Sequence, residues 1–115
     1  MLMVIEMPRV VEEMEAGEIY HWASREGDYI AFGDTFLDVY VELDPDFKGN
    51  CPPVFHLEMT ANDAGYLRKI LVPKGSVAKA GAPLAVVSTE PAEKLPPADE
   101  IKKRCASFRL ITQTM

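Results

Sequence analysis

The sequence predicts an all-β fold, a flattened β-barrel or sandwich built from two pseudo-symmetric halves. Three glycines, Gly17, Gly27 and Gly33, recur as Gly65, Gly75 and Gly81, each at an offset of 48 residues. Short β-prone runs bounded by turn residues recur at roughly the 8–12-residue spacing that is typical of all-β domains. Up to residue 88, no apolar pattern of helical period is long enough for a helix of ordinary length. Two β halves that each have one apolar face can bury those faces by packing against each other.

Apolar positions follow nearly the same offset as the glycines. Ile19 matches Leu67 and Phe36 matches Leu84, whereas Ile30 lies one place beyond the equivalent of Val77. Runs 17–22 and 66–72 are rich in strand-forming residues and lie beside turn signals, so each half should supply a few short strands. Aromatic rings fill small β cores well, so we expect the aromatic residues of the first half in the core: Tyr20, Trp22, Tyr29, Phe32 and Phe36.

Length and charge narrow the class of protein. A chain of 115 residues closes one hydrophobic core. The net charge of −6 argues against nucleic acid as a partner, because such binding depends on clustered Lys and Arg. The apolar start of the sequence is interrupted by Glu6 and Pro8 and is too short for a signal or membrane segment. We therefore expect a cytoplasmic protein without a membrane partner.

The chain divides into three predicted parts. Residues 1–88 form the β domain, residues 89–97 a Pro-rich linker, and residues 98–115 a short helix with an extended tail. Phe108, Leu110 and Ile111 would be exposed if that tail were free, so we expect it to dock. The tail could dock onto the chain's own barrel, onto a partner subunit or onto a second copy of the chain, and the sequence leaves all three possible.

The two halves resemble the biotinyl/lipoyl carrier family over residues 7–88. The first half shows this resemblance at 7–8, 17–19, 26–30 and 33–39, and the second half at 64–72, 74–77 and 81–87. The resemblance implies a domain that holds biotin or lipoyl on a lysine at a hairpin tip and moves an intermediate between the enzymes of a complex. It also implies the same barrel fold that the glycine spacing predicts.

The expected attachment lysine is missing from this sequence. Counted forward from Gly33 the position falls near Leu43, and counted back from Gly65 it falls near Val54, so an insertion enlarges the hairpin loop to residues 43–54. Lys48 is the single lysine in that loop. We expect a non-catalytic, carrier-like or assembly subunit of a carboxylase or acyltransferase complex, with no covalently bound cofactor and enzyme subunits as partners. The alternative is a genuine biotin or lipoyl carrier modified at Lys48.

The same loop and residues predicted to lie around it offer ligands for a metal ion. Thiolate, imidazole and carboxylate groups suit zinc, and a structural zinc site needs four of them; the candidates are Cys51, His56, Asp44, Asp46 and His21. A zinc-stabilised interaction module is thus a further hypothesis. Cys51 and His56 could also form a nucleophilic pair, but no third orienting group is recognisable, so we expect no independent catalysis. The two cysteines are far apart in sequence and predict two free thiols.

Overall fold

The computed structural model describes residues 1–10, 14–42 and 54–114. Within these ranges the chain forms ten β-strands and one short helix, α1 (Ile101–Arg104), which follows a 3₁₀ turn at Ala98–Glu100. The strands are β1 (Leu2–Glu6), β2 (Ala16–Trp22), β3 (Tyr29–Ile30), β4 (Thr35–Glu42), β5 (Val54–Ala61), β6 (Gly65–Ile70), β7 (Val77–Lys79), β8 (Pro83–Ser88), β9 (Ala106–Ser107) and β10 (Leu110–Thr114). The predicted all-β class is confirmed.

The strands form two five-stranded sheets that pack as a sandwich. Sheet A has the order β3-β6-β8-β1-β9, and sheet B has the order β10-β5-β4-β2-β7. Neighbouring strands are antiparallel, except that β9 runs parallel to β1. Buried apolar side chains from both sheets meet between them, among them Met3, Ile5, Ile19, Phe36, Leu57 and Leu84.

The predicted two-fold relation between the halves is present in the backbone. Strands β2, β3 and β4, shifted by the offset of the glycines, fall on β6, β7 and β8. Each half lends its short strand to the other, since β3 pairs with β6 and β7 pairs with β2. The turns are also bonded across the two halves. Gly27 N–H donates to the carbonyl of Leu67, and Gly75 N–H donates to the carbonyl of Ile19, both at 2.7 Å. The halves are therefore interlocked.

Four of the matched glycines adopt a left-handed backbone, with φ of 97° at Gly27, 93° at Gly33, 88° at Gly75 and 87° at Gly81. Residues with a Cβ rarely adopt that conformation, which explains why the turns of both halves carry glycine.

The structure also shows which apolar residues of the two halves correspond. Ile30 is buried and its match at the exact offset is Ala78, also buried, whereas Val77 is exposed.

The expectation that the five aromatic residues of the first half lie in the core was wrong for three of them. Phe36 is fully buried and Trp22 is half-buried, with its indole N–H donating to the Val72 carbonyl at 3.0 Å. Tyr20, Tyr29 and Phe32 are exposed. Strand alternation explains the first two, because each adjoins a buried isoleucine and so points to the opposite face. Phe32 lies in the turn before β4.

Hydrogen bonds and strand pairing hold the segment after β8 against the sandwich. Arg68 donates to the hydroxyl of Ser88 at 3.1 Å and to the carbonyl of Glu93 at 2.6 Å, which holds the start of the predicted linker. Further on, β9 adds to sheet A and β10 adds to sheet B. No helix within the described ranges is both long enough and apolar enough to cross a bilayer.

Candidate functional site

The β4–β5 hairpin is the element to which the family resemblance assigns the attachment site. The two strands pair antiparallel from Thr35 opposite Thr60 to Glu42 opposite Val54. The connecting residues 43–53, which contain Lys48, Cys51, Asp44 and Asp46, lie outside the described residues. The structure therefore describes the two strands that this connection joins.

The inner face of the hairpin is anchored in the core. Val39, Val41, Leu57 and Met59 alternate along β4 and β5 and are each fully buried. Alternation sends the intervening side chains outward, away from the other sheet. The base of the hairpin is consequently held in a fixed position, and its outer face is the surface beside the connection.

A cluster of polar aromatic residues covers that outer face next to the connection. We call it the hairpin-base cluster, formed by Tyr20, Asp38, Tyr40 and His56. The Tyr20 and Tyr40 ring centroids are 4.5 Å apart, Tyr40 and His56 are 5.1 Å apart, and Tyr20 and His56 are 5.8 Å apart. These rings come from three adjacent strands, so their contacts stabilise the packing of β2 against the hairpin.

Asp38 supplies the carboxylate of the cluster. Its Oδ1 lies 3.3 Å from Nε2 of His56, an ion-pair distance when the imidazole is protonated. Nε2 is buried and has no hydrogen bond of good geometry among the described residues. The contact is thus one of proximity and charge rather than of a well-aligned hydrogen bond.

The hydroxyl of Tyr40 is the second polar group of the cluster. Burial, followed by the neighbouring phenol of Tyr20 and then the carboxylates of Asp38 and Glu18, raises the pKa of Tyr40 above its ordinary value. A phenol with a raised pKa stays protonated at neutral pH. Tyr40 therefore remains an uncharged hydrogen-bonding group beside two carboxylates.

The outer face of sheet B is acidic around the cluster. Glu18 and Glu58 flank Tyr40 and Asp38 on neighbouring strands, and β2, β4 and β5 contain no lysine or arginine. An acidic surface bearing exposed aromatic rings can bind cationic side chains through both charge and the ring faces. The residues of this face are therefore suited to binding cationic side chains.

Two of the predicted zinc ligands lie in the described part of the chain. His21 is exposed on β2, opposite Asp38 in register, and His56 lies on β5 with its Nε2 turned to Asp38. Over residues 1–10, 14–42 and 54–114, no three histidine, cysteine or acidic side chains are grouped to hold a metal. Zinc binding with Cys51, Asp44 and Asp46 stays a prediction.

The three predicted docking residues of the tail have different environments. Phe108 is buried, and its ring meets that of Phe36 edge-on at a centroid distance of 5.7 Å. Leu110 is half-buried against the core, and Ile111 is 47% exposed. Of these three, Ile111 offers its side chain to a partner.

Sequence reasoning missed the hairpin-base cluster because it assigned Tyr20 to the core and gave Asp38 and Tyr40 no role. The signal was present in the alternation of β4, where Asp38 and Tyr40 occupy the positions between buried residues.

A separate groove of about 770 Å³ lies beside β1, lined in part by Leu2, Leu95 and Pro97. It shares no residue with the cluster.

Comparison with known proteins shows what this chain is similar to. No family model matches the chain. Over 94 residues, the chain is 30% identical to the dihydrolipoyllysine-residue succinyltransferase component of the 2-oxoglutarate dehydrogenase complex of Bacillus subtilis (strain 168). The matched region covers 82% of this chain and 20% of that protein, so the chain spans about a fifth of the length of its relative. The two-sheet chain with its β4–β5 hairpin is therefore similar to a segment of a subunit from a multienzyme complex.

Proposed function

We propose that this chain is a carrier-like docking subunit of an acyl-transfer multienzyme complex, in which partner enzyme subunits carry out the chemistry. The observation that supports this most strongly is the hairpin, rigid at its base and placed where the resemblance assigns the carrier site. The name of the similar protein, a succinyltransferase component, favours acyl-transfer partners over carboxylase partners.

The proposed role of the chain is recognition. Core packing holds the base of the hairpin still, and the exposed ring of Tyr20 lies beside acidic residues on the same face. A partner with a basic surface would meet Glu18 and Glu58 first and then cover Tyr20. In this proposal the hairpin positions a partner and carries no prosthetic group of its own.

A capture experiment with the full chain tests the docking role. The chain and a double variant, Glu18→Lys with Glu58→Lys, are used as baits, and the captured proteins are identified by mass spectrometry. We expect acyltransferase or dehydrogenase subunits with the unaltered chain and their loss with the double variant. A matched double variant, Glu90→Lys with Asp99→Lys, changes two exposed acids far along the chain and should retain them. Equal capture by both double variants argues against docking through this face, and no enzyme subunits with any bait argues against the complex.

A truncated chain ending at Ser88 is not a suitable bait. It would remove β9 and β10 from the two sheets and Phe108 from the core. A loss of partners would then report unfolding as readily as a lost contact. Point variants on the outer face avoid this ambiguity.

The alternative function is that of a genuine biotin or lipoyl carrier modified at Lys48. The similar protein is named for a dihydrolipoyllysine residue, which favours lipoyl over biotin within this alternative. The chain and its Lys48→Arg variant are each co-expressed with a lipoyl ligase or a biotin ligase, and the intact masses are compared. A mass gain matching either group in the chain alone establishes the carrier, and an unshifted mass removes it.

A further inference from the structure

The strands at the edges of the two sheets differ in length and in charge. Sheet A ends in β3 and β9, of two residues each, and one edge of sheet B is β7, of three residues including Lys79. The remaining edge is β10, with five residues and the sequence Leu-Ile-Thr-Gln-Thr. Natural proteins protect exposed edges with short strands, charges or proline, because an open edge can pair with another chain. Three edges are protected in this way, and β10 is not.

The direction of the backbone groups on β10 follows from one hydrogen bond. Asn62 N–H donates to the carbonyl of Arg109 at 3.0 Å, just before β10 begins. In an antiparallel pair, residues alternate between bonding the neighbouring strand and pointing away from it. Ile111 and Gln113 therefore bond β5, while Leu110, Thr112 and Thr114 direct their N–H and C=O groups to the open edge. No strand in the described ranges pairs with that edge.

We infer that β10 is the pairing edge for a second copy of this chain, with a two-fold axis at Thr112. In that register Thr112 faces Thr112 of the second copy, and Leu110 faces Thr114. All of these residues point their backbone groups to the open edge, so each facing pair makes the two hydrogen bonds of an antiparallel ladder. The two sheets B then become one continuous sheet. This inference stands independently of the proposed function.

The side chains of β10 suit a second copy as the occupant. Ile111, 47% exposed, would lie opposite Gln113 of the other copy, and that contact would cover its apolar surface. Two chains of net charge −6 repel each other, but no charged residue lies on β10. The nearest acids on the outer face are the two Glu58 side chains, opposite Gln113 on β5. Three strand spacings and two residues of offset place them roughly 16 Å apart, about twice the Debye length of 8 Å at physiological salt.

The expected dimer is weak and depends on concentration. A single strand pair with one apolar contact per copy buries less than the interfaces of permanent dimers. Association should therefore appear as a reversible shift in mass across a dilution series, and added salt should favour it because salt screens the net repulsion.

Sedimentation equilibrium of the full chain measures the shift, with two lysine variants for comparison. Ile111→Lys places a charge on β10 and should raise the dissociation constant about tenfold or more. Val77→Lys makes the same charge change at the opposite edge of sheet B, where the side chain is 67% exposed, and should leave dissociation unchanged. A monomer at every soluble concentration overturns the inference, as does a dimer that Ile111→Lys does not weaken.

Amide hydrogen exchange, followed residue by residue, separates this interface from any other. Dilute protein should protect the amides of Ile111 and Gln113 and leave that of Thr112 open to exchange. Concentrated protein should protect Thr112 as well. Protection of Thr112 that is independent of concentration means that another segment of the same chain covers the edge, and it overturns the inference. The same conclusion follows if Thr112 remains open in a dimer detected by mass.

Discussion

Gly65 lies where β6 and β8 of sheet A approach closely, and its replacement by alanine tests how tightly these two strands pack. A Cβ at this position would lie 2.6 Å from a methyl carbon of Val87 and 2.8 Å from the backbone oxygen of Ser88. The symmetry-related Gly17 would place its Cβ 2.7 Å from a methyl carbon of Val39 and 3.1 Å from the sulfur of Met7. Neither glycine has a positive φ, so neither substitution introduces backbone strain.

The expected cost differs between the two sites because the obstacles differ. Overpacking costs about 1–3 kcal/mol, and a backbone oxygen cannot move as a methionine side chain can. Alanine also gains about 0.4–1 kcal/mol because it restricts the unfolded chain. The net destabilisation should be about 2 kcal/mol for Gly65→Ala and about 1 kcal/mol or less for Gly17→Ala. The first corresponds to a fall of roughly 8 °C in Tm for a domain of this size.

Urea denaturation followed by circular dichroism gives both free energies of unfolding, and calorimetry gives the Tm values. An unchanged slope with urea shows that the substitutions act on stability and not on the extent of unfolding. Equal stability of the two variants, or a larger loss for Gly17→Ala, would refute the reasoning from the backbone contact.

Four other expected outcomes can be tested by measurement. Phe108→Ala should lower the free energy of unfolding by about 3–5 kcal/mol in urea denaturation, since it empties a core site; a loss below about 1 kcal/mol would mean that the tail is not part of the core. Because the pKa of Tyr40 is raised in the folded state, its contribution is intact below pH 10.0 and is lost as the pH rises through the folded value; unfolding curves on both sides of pH 10.0 should show a smaller alkaline loss for Tyr40→Phe, and equal losses contradict this. Burial, then the charge of Glu93, raises the pKa of the Cys105 thiol, so alkylation in a Cys51→Ser background should be slower in the folded chain than in urea; equal rates count against it. If zinc holds the loop, metal analysis should find it in the purified chain and not in Cys51→Ala; no zinc in the first, or unchanged zinc in the second, rejects the zinc hypothesis.

The matched glycines show how much of the fold the sequence predicts. Their spacing alone placed the turns and the two halves, because a left-handed turn leaves few alternatives to glycine. The exchange of β3 and β7 between halves is different, since it depends on which strands become neighbours in space. A spacing pattern carries no information on that point until the sheets are assembled.

The candidate site was less predictable than the fold. The resemblance located the hairpin, yet Tyr20 was assigned to the core because aromatic residues usually help to fill a small barrel. Its neighbour Ile19 is buried, and strand alternation then turns Tyr20 outward beside Tyr40 and His56. Contacts among residues on three strands depend on register, which the sequence alone does not specify in these central strands of sheet B. The sequence predicted docking of the tail, and the structure adds that Phe108 enters the core while Ile111 does not.

The hydrogen bond between the indole of Trp22 and the carbonyl of Val72 gives this protein a built-in optical reporter. Trp22 is the single tryptophan in the chain, and its partner belongs to the other half. Its emission will therefore follow the separation of the two halves without any added label. A change in fluorescence that precedes the loss of β-sheet signal would show the halves parting before their strands unravel. Simultaneous changes would show that the interlocked sheets melt as one unit.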